Sequence, residues 1–287
     1  MKPIISAWQS NDGQHTGDGT PILRNSHAYY YNQEDSYFTL ENAPGLAPRD
    51  LREIFRNTAR QMKEAGDYKY GGTTASVAFI GHDGMLTAAH VGDSPVRVYI
   101  QDQNNGNILG STLVTAPHSP ARLDERKRIE ARGGTVEFVG GTMRLNRRLA
   151  LSRAFGDTAQ KGITARPEIT PLDLNPYFSQ GNRVIVTVET DGVMPHANEA
   201  ARLARFPCNE YADETISGGI AQALGELADE LKSHDNITST VVFMDELPES
   251  NIVAAVFDGH GRNAAKASQM AAKLVREQIL AFVSRQP

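Results

Sequence analysis

Apolar residues recur at helical spacing in one early stretch, Pro48–Ala65, where Leu51, Ile54, Phe55, Ala59 and Met62 fall on one face. Pro48 suits the first turn of such a helix, and Gly66 suits its stop. From Thr73 the pattern turns to strands. Residues 75–81 and Met85–Val91 flank His82-Asp83-Gly84, which reads as a hairpin turn. Residues 96–101 and 108–115 read as a second strand pair around an Asn-rich turn. A short charged helix is expected over 120–132, ending at Gly133-Gly134, and a strand over 135–139. Residues 183–190 and Ile237–Met244 are nearly continuous β-branched runs, the signature of strands buried on both faces. Ile252–Phe257 reads as another strand. Long helices are expected over 210–232 and from Asn263 to about Val283, the latter with Ala267, Met270, Ala271, Leu274, Val275 and Phe282 on one face. Residues 28–31 and Ser36–Leu40 look like strands, and the polar first 26 residues like loop or edge structure. Strands followed by helices, without regular βαβ alternation, predict an α+β domain built on antiparallel sheets.

The 287 residues, 40% of them hydrophobic and 22% charged, suffice for a proper core and exclude wholesale disorder. We read them as a single catalytic domain spanning 1–287. The formal charge of −5 implies no basic face, so neither nucleic acid nor an anionic membrane is an expected partner. Cys208 is the single cysteine, so no intrachain disulfide forms. The first residues lack the apolar core of a signal peptide, and no run approaches a membrane span. The expectation is a cytoplasmic or otherwise soluble protein, and a monomer.

The chemistry concentrates in acids. Asp-Gly pairs occur at Asp12, Asp18, Asp83, Asp191 and Asp258. Such a pair commonly marks a turn, and Asp83 fits that role between two strands. Asp191 and Asp258 instead follow long apolar strands directly, at the lip of the core, where an isolated charge is costly. Asp235 precedes another such strand, and Glu34-Asp35 open Ser36–Leu40 in the same way. Singly, each acid can equally cap a helix or close a turn. Together, oxygen ligands at strand ends suit hard divalent cations such as Mg²⁺ or Mn²⁺. His260, in Asp258-Gly259-His260-Gly261, stands beside such a turn and becomes a candidate general acid.

Assembled, these motifs resemble the metal-dependent serine/threonine phosphatases of the protein phosphatase 2C (PPM) class. The resemblance rests on Asn32-Gln33-Glu34-Asp35, Gly71-Gly72-Thr73-Thr74-Ala75, Val91-Gly92-Asp93-Ser94, Glu125 with Arg128-Ile129 and Gly133-Gly134, and Leu151 through Asp157. It continues through Pro167-Glu168, Thr190-Asp191-Gly192, Asp235-Asn236-Ile237-Thr238 and Val256 through Gly261. The resemblance implies a sandwich of two antiparallel sheets flanked by helices, with two metals at one edge. In that reading Asp258 bridges the metals, Glu34, Asp191 and Asp235 bind them, and Gly259 offers its carbonyl. Asp35 accepts a hydrogen bond from water on the metals, Asp93 joins Asp191 at a third, weaker metal site, and His260 is the general acid. The implied cofactors are two Mg²⁺ or Mn²⁺ ions with this third site, and the implied partner is a phosphoprotein substrate.

Two departures bear on function. The family carries its Asp-Gly-His-Gly strand and the following helix soon after the Glu-Asp strand, whereas here both come after Ile237–Met244. One strand–helix unit is therefore transposed, and the fold is expected to survive with altered connectivity. The family also places a phosphate-gripping arginine four residues before the metal-binding Glu, and this chain has Tyr30 there. A tyrosine cannot form the bidentate, charge-assisted fork of a guanidinium. Arg262 is the candidate replacement, its other reading being a solvated residue at the start of a helix, and Arg24 is a weaker candidate. The expected activity is metal-dependent hydrolysis of phosphomonoesters, foremost phosphoserine and phosphothreonine on proteins. The alternatives are a pseudophosphatase acting as a binding module and a hydrolase of small phosphate esters. Residues 144–171 and 196–211 are the candidate substrate-recognition loops.

Overall fold

The computed structural model describes residues 4–10, 34–192 and 236–283. Its centre is a strand that arrives late in the chain. Strand β14 (Ile252–Phe257) lies between β2 (Ser36–Leu40) and β4 (Ala75–Ile80), antiparallel to both. Beyond β4 come β5 (Met85–Val91) and β11 (Glu168–Asp173), giving a five-stranded antiparallel sheet. The facing sheet runs β1 (Ile4–Ser10), β13 (Ile237–Met244), β12 (Asn182–Glu189), β6 (Val96–Asp102) and β7 (Ile108–Leu113). The expected antiparallel α+β architecture is what the chain adopts, and the polar N-terminal segment enters it as an edge strand.

Both faces of β14 are buried, which explains its unbroken apolar run. Ile252, Ala254 and Val256 pack between the two sheets against Val186, Val188 and Val242. Val253, Ala255 and Phe257 point the other way, into a second core under two helices. Those helices are α1 (Pro48–Ala65) and a C-terminal helix, Ala264–Val283. Leu51, Ile54, Phe55 and Met62 of α1 share this core with Ala267, Ala271, Val275 and Ile279, and Gln278 Nε2 donates to Thr58 Oγ1 at 2.9 Å. The terminal helix thus docks beside α1. Helix α1 begins at Pro48, with the Ala47 N–H donating to the Asp50 carboxylate at 2.8 Å, and stops at Gly66, whose φ of +80° is the left-handed conformation glycine adopts without strain.

The charged helix is shorter than its sequence pattern, α2 (Leu123–Ala131). The turn before it is fixed by its own backbone, with the Arg122 N–H donating to the Ser119 carbonyl. The strand expected over 135–139 is β8 (Val136–Val139), while its partner β9 (Thr142–Leu145), β10 (Phe155–Gly156) and α3 (Asn175–Ser179) escape the periodicity reading. The last helix is therefore α4 in chain order. The helix expected over 210–232 and the strand over 28–31 lie outside the described residues. No helix among the described residues is long and apolar enough to cross a membrane.

Candidate active site

A third, small sheet builds one wall of the site. Strand β3 (Gly71–Thr73) lies between β10 and β15 (Gly259–Gly261), which continues from β14 after Asp258. Gly72 stands opposite both Gly156 and His260. That register brings the His260 ring over to Asp157, with Nε2 2.6 Å from Oδ2. A side chain on Gly72 would run into the Phe155 carbonyl, the Asp157 carboxylate and the His260 ring. Asp157 is buried and sits at φ +49°, in a turn whose N–H donates to the Gly71 carbonyl. The sequence reading quoted Asp157 only as part of a motif. Its pairing with His260 joins residues 103 apart and leaves no local sequence signal.

The carboxylates gather in pairs at the same end of the sandwich. The Gly259 N–H donates to the Glu34 carbonyl at 3.1 Å, seating the Glu34-Asp35 entry to β2 against the Asp258-Gly259 exit from β14. A Cβ at Gly259 would meet the carbonyls of Glu34 and Ala264, so only glycine allows this approach. In the facing sheet the Thr190 hydroxyl donates to the Asn236 carbonyl at 3.3 Å and accepts from the Thr238 N–H at 3.0 Å. This sets Asp191, at the exit of β12, beside the entry to β13. Thr238 Oγ1 then donates to the buried Asp35 carboxylate at 2.8 Å and ties the two sheets together. Asp258, half-buried, leads into this junction, while the side chains of Glu34 and Asp191 are exposed.

Asp93 belongs to the same end through Thr74. The Thr74 N–H donates to the Asp258 carbonyl at 2.8 Å, and its hydroxyl accepts from the Asp258 N–H at 3.2 Å and meets the Ser94 hydroxyl at 2.6 Å. Gly92, at φ +103°, has the Thr74 side chain where its Cβ would stand. Asp235, Tyr30 and Arg24 lie outside the described residues, as does the candidate loop 196–211. Arg262 is exposed, and only its backbone is fixed, by donation from its N–H to the Tyr70 carbonyl at 3.1 Å. Among the described residues no three His, Cys, Asp or Glu side chains form a cluster that could hold a metal. The donors present are nevertheless of one kind: carboxylate and carbonyl oxygens at the ends of β2, β12 and β14, the chemistry hard divalent cations take.

Behind the Gly92-Asp93 turn lies a buried polar network. The Gly92 N–H donates to His118 Nδ1 at 3.1 Å, so the His118 proton sits on Nε2, which donates to Glu168 at 3.2 Å. His90 stacks on His118 with ring centroids 4.2 Å apart and donates from Nε2 to the Ala116 carbonyl. Burial pushes His118 down to about 2, helped by His90 and by the Arg153 charge, and burial lowers His90 as well. Nearby, Glu125 accepts from Arg153, Arg128 and Ser152 at 2.6–2.7 Å. Burial pushes the Glu125 carboxyl up, but these hydrogen bonds outweigh it and hold it well below the usual carboxylate range.

Comparison with known proteins agrees with this geometry. The family model described as Protein phosphatase 2C matches residues 23–200. Among curated relatives, "Probable protein phosphatase 2C 11" of Arabidopsis thaliana is 40% identical over 126 residues, 43% of this chain and 32% of that one. Human "Protein phosphatase 1F" is 33% identical over 199 residues, 68% of this chain and 40% of that one. The chain thus spans less than half the length of these relatives. Among solved structures, a sex determining protein of C. elegans superposes with a TM-score of 0.58 at 20% identity, over 96% of this chain and 68% of that one. Serine-threonine phosphatase 2C from Toxoplasma gondii superposes with a TM-score of 0.56 at 16% identity, over 83% and 94%. At these identities the superpositions speak for the fold.

Two outcomes follow from the packing. Gly72→Ala is expected to destabilise the protein by about 1–3 kcal/mol, the usual cost of overpacking, and to part His260 from Asp157. Thermal unfolding measures the first effect and the turnover of a phosphate ester the second. For His118 the folded pKa lies below the unfolded value, so the unfolded chain binds the extra proton. Stability is full above about pH 6.5 and falls on acidification by about 1.4 kcal/mol per pH unit for such a group. His118→Asn, whose amide oxygen can still accept from Gly92, should flatten the fall in urea midpoint between pH 7 and pH 5.

Proposed function

Because the chain belongs to the protein phosphatase 2C family, we propose that it hydrolyses phosphomonoesters with divalent cations, phosphoserine and phosphothreonine on proteins being the substrates. The observation that carries this reading is the junction of Gly259 with Glu34 and of Thr238 with Asp35, which supports acids from both sheets acting at one place. Glu34, Asp258 and the Gly259 carbonyl would hold the cations from one sheet, and Asp191 and Asp235 from the other, with Asp93 serving a third, weaker site. Bound there, Mg²⁺ or Mn²⁺ supplies an activated water and offsets charge on the transferring phosphoryl group.

The chain's own residues do the rest. Asp35, gripped by Thr238, presents a fixed carboxylate that accepts a hydrogen bond from the attacking water. His260 donates from Nε2 to Asp157, which fixes the ring plane. In the imidazolium form the Nδ1–H is then available for the leaving alkoxide oxygen. Asp157 is thus a positioning residue for His260. Arg262 serves the substrate phosphate in place of the arginine that position 30 lacks.

The transposed chain order is part of this reading. The family match ends at residue 200, while Asp258 through Gly261 lie beyond it, directly after β14, which is folded between β2 and β4. A domain whose ligands converge despite chain order is expected to work normally.

The deciding assay is hydrolysis of p-nitrophenyl phosphate and of phosphopeptides with Mn²⁺ or Mg²⁺. Chelation by EDTA should abolish it, and Asp258→Asn should lower it by about a hundredfold or more with the unfolding temperature little changed. Activity indifferent to chelator would overturn the reading. For the phosphate grip, Arg262→Ala should raise KM for phosphopeptides by about tenfold or more, the loss of one charge-assisted bond. If Tyr30→Arg lowers KM and Arg262→Ala leaves it alone, Arg262 has no such role.

A further inference from the structure

The acidic chain carries a strongly basic cavity beside the Glu125 and His118 network. It encloses about 330 Å³ and is walled by Arg52, Arg128, Arg132, Arg153 and Arg166, with Glu168 the one acid in its lining. Arg52 comes from the start of α1, Arg128 from α2 and Arg132 from just past its end, Arg153 from just before β10, and Arg166 from between β10 and β11. None of the acids or the histidine assigned to catalysis lines it. The net charge of the whole protein is −5, so five guanidinium groups around one hollow are not a by-product of composition.

The walls divide into a fixed and a free part. Arg128 and Arg153 are locked by Glu125: Arg128 also donates to the Gly162 and Ser152 carbonyls, and Arg153 to the Arg166 carbonyl. Glu168 is already engaged by Arg122 and His118. That leaves Arg52, Arg132 and Arg166 exposed at the rim, and their side chains have no hydrogen bond or ion pair within the described residues. Two anchored guanidinium groups at the base and three unpaired ones at the rim exceed what Glu125 and Glu168 can neutralise. Planar N–H forks match phosphate oxygens in pairs, and a phosphate dianion offers several such oxygens where a carboxylate offers two. The volume lies at the small end of ligand pockets and suits a phosphate group on a short side chain.

We propose that this cavity is a second phosphate-binding site, distinct from the catalytic one. The phosphate arrives either free, as inorganic phosphate, or on a second phosphorylated residue of the peptide being hydrolysed. The site does not require the protein to be a phosphatase, because its chemistry rests on the arginines alone.

The test is calorimetric titration of the Mg²⁺-loaded protein with inorganic phosphate, beside the triple variant Arg52→Ala, Arg132→Ala, Arg166→Ala. All three side chains are exposed and unpaired, so the fold should be kept. As a safeguard, the single variant Arg132→Glu should weaken the same binding event about tenfold or more. The wild type is expected to bind one phosphate more than the triple variant, while both hydrolyse p-nitrophenyl phosphate with the same kcat within about twofold. The source is read from kinetics. A KM that rises fivefold or more for a doubly but not a singly phosphorylated peptide assigns it to the peptide. A changed inhibition constant for phosphate alone assigns it to the free ion. Equal phosphate stoichiometry in wild type and triple variant, or an Arg132→Glu protein that binds phosphate as the wild type does, overturns the proposal.

Discussion

Thr74 is the constraint on which the active end depends. It occupies the single position between β3 and β4, so the small sheet and the large one meet at its backbone. Its N–H and hydroxyl clamp both ends of the Asp258 peptide, and the same hydroxyl meets Ser94 in the turn that carries Asp93. A buried hydroxyl with two such neighbours cannot be exchanged for a methyl group without leaving partners unsatisfied. The nearby glycines follow from the same crowding: Gly92 leaves room for Thr74, Gly72 for the Asp157–His260 pair, and Gly259 for the Glu34 carbonyl.

The scaffold around this clamp explains why a strand from late in the chain can occupy the middle of a sheet. Residues 245–251 carry the chain from one sheet to the other, between β13 and β14. Asn251 secures the arrival: its side chain donates to the Ala43 carbonyl and accepts from the His82 N–H, while the Ala43 N–H donates to the Asn251 carbonyl. Once seated, β14 offers one face to each of two cores, and α4 follows directly onto the outer one. Burial of apolar area is indifferent to the order in which strands are joined.

What could be read from the sequence divides along the same line. Strands β4, β5, β12, β13 and β14 and helix α1 declare themselves because burial imposes an apolar pattern on each. Strands β9 and β10 and helix α3 do not, because they are short or half-exposed. Asp191 and Asp258 were visible as Asp-Gly pairs after apolar runs, and Glu34-Asp35 and Asp235 as acids that open strands. The pairing of His260 with Asp157 was not, because it depends on the register of β10, β3 and β15. The basic cavity was hidden for the same reason: its arginines are spread from position 52 to position 166, and each alone looks like an ordinary solvated charge.

The place of β14 has a consequence for biosynthesis. Among the described residues strand β2 has no other neighbour in its sheet, and its partners run from Leu40 with Val253 to Ser36 with Phe257. During translation β2 therefore leaves the ribosome long before the strand that completes it, and Glu34 waits equally long for Gly259. Pairing across such a separation must close a very long loop, the slow kind of step in folding. The end of the sandwich where Glu34 meets Gly259 cannot assemble vectorially as the chain emerges. It forms only when β14 and α4 dock, after β2 has waited for more than two hundred residues to be made.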